Sequence, residues 1–151
     1  MTREQPHDLH DAIRDVAARA TTAVGLAGIG LIHLLDSIGK YHETRYLFWL
    51  YMALIAGSLA TAAALLFTRS RLAFVAAAGL AALAIAGYIL SRTTGLPSSS
   101  DDIGNWTEPL GLASLFVEGA VAGVSCAAYA LAARAPAPRR AAARRLTAQR
   151  A

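Results

Sequence analysis

Four long apolar runs separated by short polar breaks constrain this chain more than any other feature: residues 20–35, 47–67, 72–90 and 110–133. A helix crossing a hydrocarbon core of about 30 Å needs roughly 20 mostly apolar residues. The last three runs meet that length as they stand. The first meets it when extended back through residues 16–19, with Arg19 reaching up to the headgroups. A soluble four-helix bundle would carry a polar stripe on every helix. The run 72–90 has no such stripe and no ionisable group except Tyr88. Hydrophobic residues make up 56% of the chain and charged ones 16%, too few charges to clothe a soluble surface. The expected fold is all-α: one domain, an antiparallel up-down four-helix transmembrane bundle over residues 16–133, with the lipid bilayer as its solvent.

Charge sets the expected orientation. With four spans, the N-terminal segment, residues 68–71 and the C-terminal tail share one face. Of the fourteen basic side chains, eleven lie there, from Arg3, Arg14 and Arg19 through Arg69 and Arg71 to the six arginines of the tail. The other face holds Lys40, Arg45 and Arg92. The positive-inside rule therefore puts both termini in the cytoplasm. The first fifteen residues carry Glu4, Asp8, Asp11 and Asp15, unlike a cleavable signal peptide. Leu9, Ile13, Val16 and Ala20 fall at helical spacing, so residues 1–15 read as an amphipathic segment along the inner surface. Residues 134–151 follow the fourth span with Pro136 and Pro138 and then arginines among alanines. This is a polybasic surface tail, each arginine contributing about 1 kcal/mol near an anionic leaflet. Without aromatic interleaving or a base-reading motif, it gives no reason to expect nucleic acid as a partner.

Helices in lipid associate through close contact of small residues. Gly25, Gly28 and Gly30 crowd the first span; Ala53, Gly57, Ala60 and Ala64 share a face of the second; Gly119 and Gly123 form a G-x-x-x-G pair in the fourth. The expectation is a tight bundle with little room for a large cofactor, and a homo-oligomer or a partner membrane protein as candidate company. Tyr41, Tyr46, Trp49, Tyr51 and Trp106 mark the outer interface as belt residues. Cys126, the only cysteine, excludes an internal disulfide and reads as a small packing residue.

Polar side chains inside the spans are the candidate site. With the fourth span starting at Pro109, Glu118 lies about 13 Å deep. An ionised carboxylate there costs at least about 2.5 kcal/mol, so Glu118 should face protein, pair, or carry a proton. Gly111, Ser114, Ala122, Ser125 and Tyr129 share its side of the helix. A glutamic acid hydrogen-bonded to another helix and a proton or ligand site are both open readings. His33 is the only histidine within a span. With Gly39 as C-cap and the first helix ending at Ile38, His33 lies about 7 Å below the outer boundary, some 6 Å from the level of Glu118. A His33–Glu118 couple is within reach, and Asp36, one turn on, can orient the imidazole or ligate with it.

The outer face, with its loops read as residues 36–43 and 91–109, holds Asp36, Glu43, Asp101, Asp102 and Glu108 against Lys40, Arg45 and Arg92. This face is mildly acidic and suits a cation or a basic partner better than an anion. Arg92 is expected to pair with a loop carboxylate, and Glu108 to sit at the positive end of the fourth helix dipole. His33, Asp36, His42, Glu43 and Glu108 offer enough nitrogen and oxygen ligands for a metal, but no H-x-x-x-H or C-x-x-C spacing fixes a geometry. Phosphate-loop and nucleophile-elbow motifs are absent. Cofactor identity stays open.

The chain resembles small four-span membrane proteins of high-G+C bacteria, and its arginine-for-lysine bias agrees with such a genome. The resemblance rests on Gly30 to His33, on Glu43 to Trp49, on Ser91-Arg92-Thr93-Thr94-Gly95-Leu96-Pro97, and on Glu108-Pro109-Leu110-Gly111 through Glu118. It covers about residues 25–129, with Ser114 standing where an aspartate belongs to the pattern. It implies the bundle architecture and the choice of site residues, and carries no substrate; the expected compartment is the bacterial inner membrane. Three functions fit. The first is an integral membrane accessory or binding protein whose outward pocket is made by His33, Asp36, Arg92, Glu108 and Glu118, for a cation, a proton or a small polar ligand. The second is a metal- or quinone-dependent oxidoreductase subunit, and the third a purely structural subunit. Alternating access fits poorly, because four spans without a repeat or a broken helix offer no second half to rock.

Overall fold

The computed structural model describes residues 6–134. It contains four helices, α1 (Pro6–Glu43), α2 (Arg45–Phe67), α3 (Leu72–Thr93) and α4 (Pro109–Arg134). Each is long and apolar enough to cross a membrane. They form an all-α four-helix bundle in which α1 packs on α2 and α4, and α3 on the same two neighbours. Residues 1–5 of the expected surface segment and 135–151 of the expected basic tail lie outside the described residues. Below, the end holding the α1–α2 and α3–α4 connections is called distal, and the end holding Pro6, Arg134 and the α2–α3 turn proximal.

Helix boundaries follow local chemistry. One residue, Thr44, joins α1 to α2: its N–H donates to the Lys40 carbonyl at 2.9 Å, and its carbonyl accepts from the Leu47 N–H at 3.0 Å. α1 therefore runs five residues beyond the expected stop at Ile38. Gly39 stays helical, and Lys40 and Glu43 pair at 3.2 Å across the last turn, while Tyr41 packs edge-on to Phe48. Residues 36–43, expected as a loop, are the top two turns of this helix. At its other end α1 is continuous from Pro6, with no break where residues 1–15 were expected to leave the first span. α3 stops where Gly95 takes φ +75°, its N–H donating to the Leu90 carbonyl at 2.9 Å. That left-handed step is one that glycine takes without steric cost.

The proximal half is held by small-residue packing. A Cβ on Gly25 would overlap Val121 of α4, and one on Gly28 would lie 3.3 Å from Val117, so α1 and α4 approach closely, as small residues in lipid allow. Leu26, Ile29, Leu65, Phe74, Ala77 and Ala81 complete a fully buried apolar cluster. Arg19 does not reach for headgroups. It pairs with Asp15 at 2.8 Å, donates to the Thr68 carbonyl at 3.1 Å and lies over Phe74, supplying positive charge at the C-terminus of α2. Gly119 and Gly123 are exposed, and a Cβ on either meets nothing within 4 Å; the G-x-x-x-G pair takes no part in packing among the described residues. Cys126 is also exposed, so it is not the interior packing residue expected.

Candidate functional site

At the distal end the bundle opens into a cavity of about 710 Å³, which corrects the expectation of little internal room. Of the five expected site residues, His33, Asp36, Arg92 and Glu108 line it. Glu118 does not reach the lining. It lies directly behind His33 and Ser114, which both line the cavity and touch it.

Glu118 faces inward, 1% exposed, and Gly111, Ser114 and Ser125 on the same side of α4 are buried with it. Tyr129, expected on that side, is 43% exposed, because it lies nearer the proximal end of α4 where the bundle no longer covers it. The Ser114 hydroxyl donates to Glu118 Oε1 at 2.6 Å. The same oxygen is 3.8 Å from His33 Nε2. The extension of α1 explains this proximity. His33 lies about 15 Å below the end of α1, not 7 Å, so it stands at the level of Glu118. On its other side, His33 Nδ1 is 3.0 Å from the Ile29 carbonyl oxygen. A carbonyl only accepts, so the network assigns a hydrogen to Nδ1 and directs Nε2 at the carboxyl group. One proton can then reside on Glu118 or on His33 Nε2, and the pair's net charge is zero either way. Glu118 Oε2 is buried and has no hydrogen-bond partner among the described residues.

Asp36 does not orient the His33 ring. Tyr51 comes between them: its hydroxyl donates to Asp36 Oδ2 at 2.8 Å, and its ring meets the imidazole edge-on at 5.0 Å. Tyr51 is thus a site residue that sequence reasoning placed in the membrane belt. Arg92, the last basic residue of α3, is 7% exposed and pairs with Asp102 at 2.8 Å and with Glu108 at 3.4 Å. Its guanidinium also lies 4.9 Å from the centre of the Tyr88 ring. Glu108 in turn accepts from the Leu110 N–H at 3.1 Å and the Gly111 N–H at 2.8 Å. It caps α4 while holding Arg92, so the loop pairing and the helix-dipole placement expected of these two residues meet in one network. A Cβ at Gly111 would run into Tyr88 and Glu108; glycine is what lets these groups close on one another. Lys40 pairs with Glu43 at 3.2 Å and Asp102 at 3.8 Å.

The two basic groups of the lining are therefore already engaged by acids. Asp36 forms no ion pair among the described residues and is held by a tyrosine hydroxyl alone. Among the described residues no three His, Cys, Asp or Glu side chains converge as metal ligands do; His42 and Glu43, counted as ligand candidates, are exposed. What the cavity offers is one carboxylate outside any ion pair among the described residues, three tyrosine rings, and a histidine–glutamate pair 3.8 Å apart beneath its wall. No family model, no curated protein and no solved structure matches the chain.

Proposed function

We propose that this chain is an integral membrane binding protein of a bacterial cytoplasmic membrane, with both termini inside and the distal cavity facing outward, and that the cavity takes a small organic cation. The observation that carries the reading is the state of Asp36, a carboxylate in the cavity wall that forms no ion pair among the described residues, Lys40 one turn along α1 being turned to Glu43 and Asp102 instead. Lys40 and Arg92, by contrast, already hold Glu43, Asp102 and Glu108. An anion would meet bases already paired with acids, only Arg92 Nε lacking a partner among the described residues, whereas a cation meets an acid with coordination to spare in a lining that also holds the Tyr51 and Tyr46 rings, and ring faces attract positive charge. His33 and Glu118 form a proton reserve next to that site. A cation bound at Asp36 favours the proton on Glu118 rather than on the imidazole.

The orientation draws on the excess of arginine on the proximal side. Calorimetric titration of the purified protein with methylammonium and with acetate tests the binding reading. Methylammonium is expected to bind and acetate not to, and Asp36→Asn is expected to weaken methylammonium by about tenfold or more, the scale of a lost charge-assisted contact. Equal binding of both ions, or indifference to Asp36→Asn, overturns the reading.

A further inference from the structure

The cavity has two kinds of wall. Its upper part is polar, with Asp36, Arg92 and Glu108. Its lower part is apolar, with Leu50 and Leu54 from α2 and Leu80, Leu83 and Ala84 from α3. Leu50 and Leu83 line the cavity and are also 58% and 71% exposed. The cavity therefore reaches the flank of the bundle between α2 and α3, where a membrane protein meets lipid tails.

This flank opening has a top and a bottom. Above, the loop after α3 is latched onto the start of α2: the Tyr46 hydroxyl donates to the Pro97 carbonyl at 2.7 Å, and the Thr44 hydroxyl lies 3.4 Å from the Ser98 carbonyl. Below, α2 and α3 close on each other where a Cβ on Gly57 would lie 3.3 Å from Leu80. Tyr46 to Gly57 spans about 16 Å of helix. Within this frame α3 presents Gly87 to the cavity, and a Cβ there meets nothing within 4 Å. The slot is walled by hydrocarbon, roofed on the aqueous side and open sideways. Polar groups at one end and an apolar run at the other are how sites fix the head and bury the body of an amphipathic ligand.

We infer that the ligand is an amphiphile whose ammonium head sits at Asp36 and whose apolar chain leaves the cavity between α2 and α3 into the bilayer. The inference rests on the cation reading and adds both the chain and the route of entry. A free long-chain amine and the ethanolamine head of a bilayer lipid share this chemistry.

The test uses the full chain in nanodiscs of phosphatidylglycerol, titrated with methylamine and with dodecylamine and followed by thermal shift. Wild type, Gly87→Leu and Asp36→Asn are run in the same lipid, so that amine partitioning into the bilayer cancels. Dodecylamine is expected to bind about tenfold or more tighter than methylamine. Gly87→Leu fills the slot and is expected to remove that advantage while leaving methylamine bound; Asp36→Asn is expected to lose both. Leu83→Trp, at an exposed lip of the slot, serves as the blocking variant should Gly87→Leu not fold. Methylamine binding with no gain from the longer chain, or a gain that both blocking variants retain, overturns the slot and leaves the cation reading standing. Failure of wild type to bind either amine overturns the cation reading itself. Nanodiscs containing phosphatidylethanolamine separate the two sources. A lipid molecule retained by wild type in native mass spectrometry, lost in Asp36→Asn and competing with dodecylamine, identifies the bilayer as the source; dodecylamine binding undiminished by that lipid identifies a free amine.

Discussion

The proximal and distal halves of this bundle solve the same problem by different means. Proximally, Gly25 and Gly28 let α1 lie against Val117 and Val121, and the buried side chains around them are small or aliphatic apart from Phe74. The polar groups buried there, Thr22, Ser58 and Ser125, are hydroxyls. Distally, contact is made by charge: Arg92 gathers Asp102, Glu108 and the Tyr88 ring, and Lys40 gathers Glu43 and Asp102. Lipid tails are as apolar as leucine, so apolar surface alone does not draw helices together. Volume does most of the work proximally, where Arg19 also bridges α1 to the end of α2, and ion pairing does it distally, where the cavity of about 710 Å³ lies.

If that division is right, the halves should fail differently. The largest effect is expected from added volume proximally. Gly25→Leu puts side-chain atoms where Val121 already sits, which should cost about 3 kcal/mol, the upper end of overpacking penalties. Reversible unfolding in mild detergent measures this. A change below the scale of a single methylene would mean that α1 and α4 are free to separate, and the contrast between the halves would be lost.

Distal charge comes next. Arg92→Ala leaves Glu108 without its cation and Asp102 with only the longer 3.8 Å pair to Lys40. Stripping one partner from a buried pair costs about 3–5 kcal/mol. These acids are about a third exposed, 31% and 35%, so solvent takes up part of the loss and about 2 kcal/mol is expected. The damage should stay local. Amides of residues 94–108 should exchange about 30-fold faster, the equivalent of that free energy, while those around Phe74 keep their protection. Uniform loss of protection would show that the two ends unfold as one unit.

How much of this was legible in the residues depends on what each side chain could be confused with. The four spans were legible because nothing else makes runs of that length. Glu118 and His33 were legible because an ionisable group at mid-membrane must look inward. The end of α1 was not. Gly39 reads as a stop, but a glycine ends a helix only when the chain needs a left-handed step, and here Tyr41 and Lys40 have partners that reward one more turn. That error moved His33 by more than a turn and hid how level it is with Glu118. Tyr51 was hidden differently: a tyrosine near an interface looks like a belt residue whether or not its hydroxyl has found an acid.

Glu118→Gln sharpens the distinction within the distal half, between groups that hold the fold and groups that serve the site. Glutamine can still accept from Ser114, so stability is expected to change by no more than about 1 kcal/mol, the ordinary range for one interhelical hydrogen bond in a membrane. The exchangeable proton shared with His33 is gone, however. In infrared difference spectra of methylammonium binding, the protonated-carboxyl band that Glu118 contributes in wild type should therefore be absent. A loss of several kcal/mol in stability would instead mark Glu118 as a member of the scaffold, and the third reading of the sequence, a structural subunit, would gain.

The smallest effect is expected on a surface that belongs to neither half's packing. Ser114, Glu118 and Ser125 fix the inward side of α4. At 3.6 residues per turn Gly119 and Gly123 then lie about 100–140° round from Glu118, and the exposed faces of both glycines agree. The G-x-x-x-G pair is thus free to serve the homo-oligomer expected of it, or to serve nothing. Gly119→Ile separates these. In a monomer it should shift stability by no more than about 0.5 kcal/mol, as surface substitutions do. In an oligomer seated on this face, a branched side chain would force the backbones apart. Mass photometry or cross-linking in nanodiscs would then show the variant dissociating while its own four-helix bundle keeps its unfolding midpoint. An assembly that persists in the variant would rule this face out as the interface.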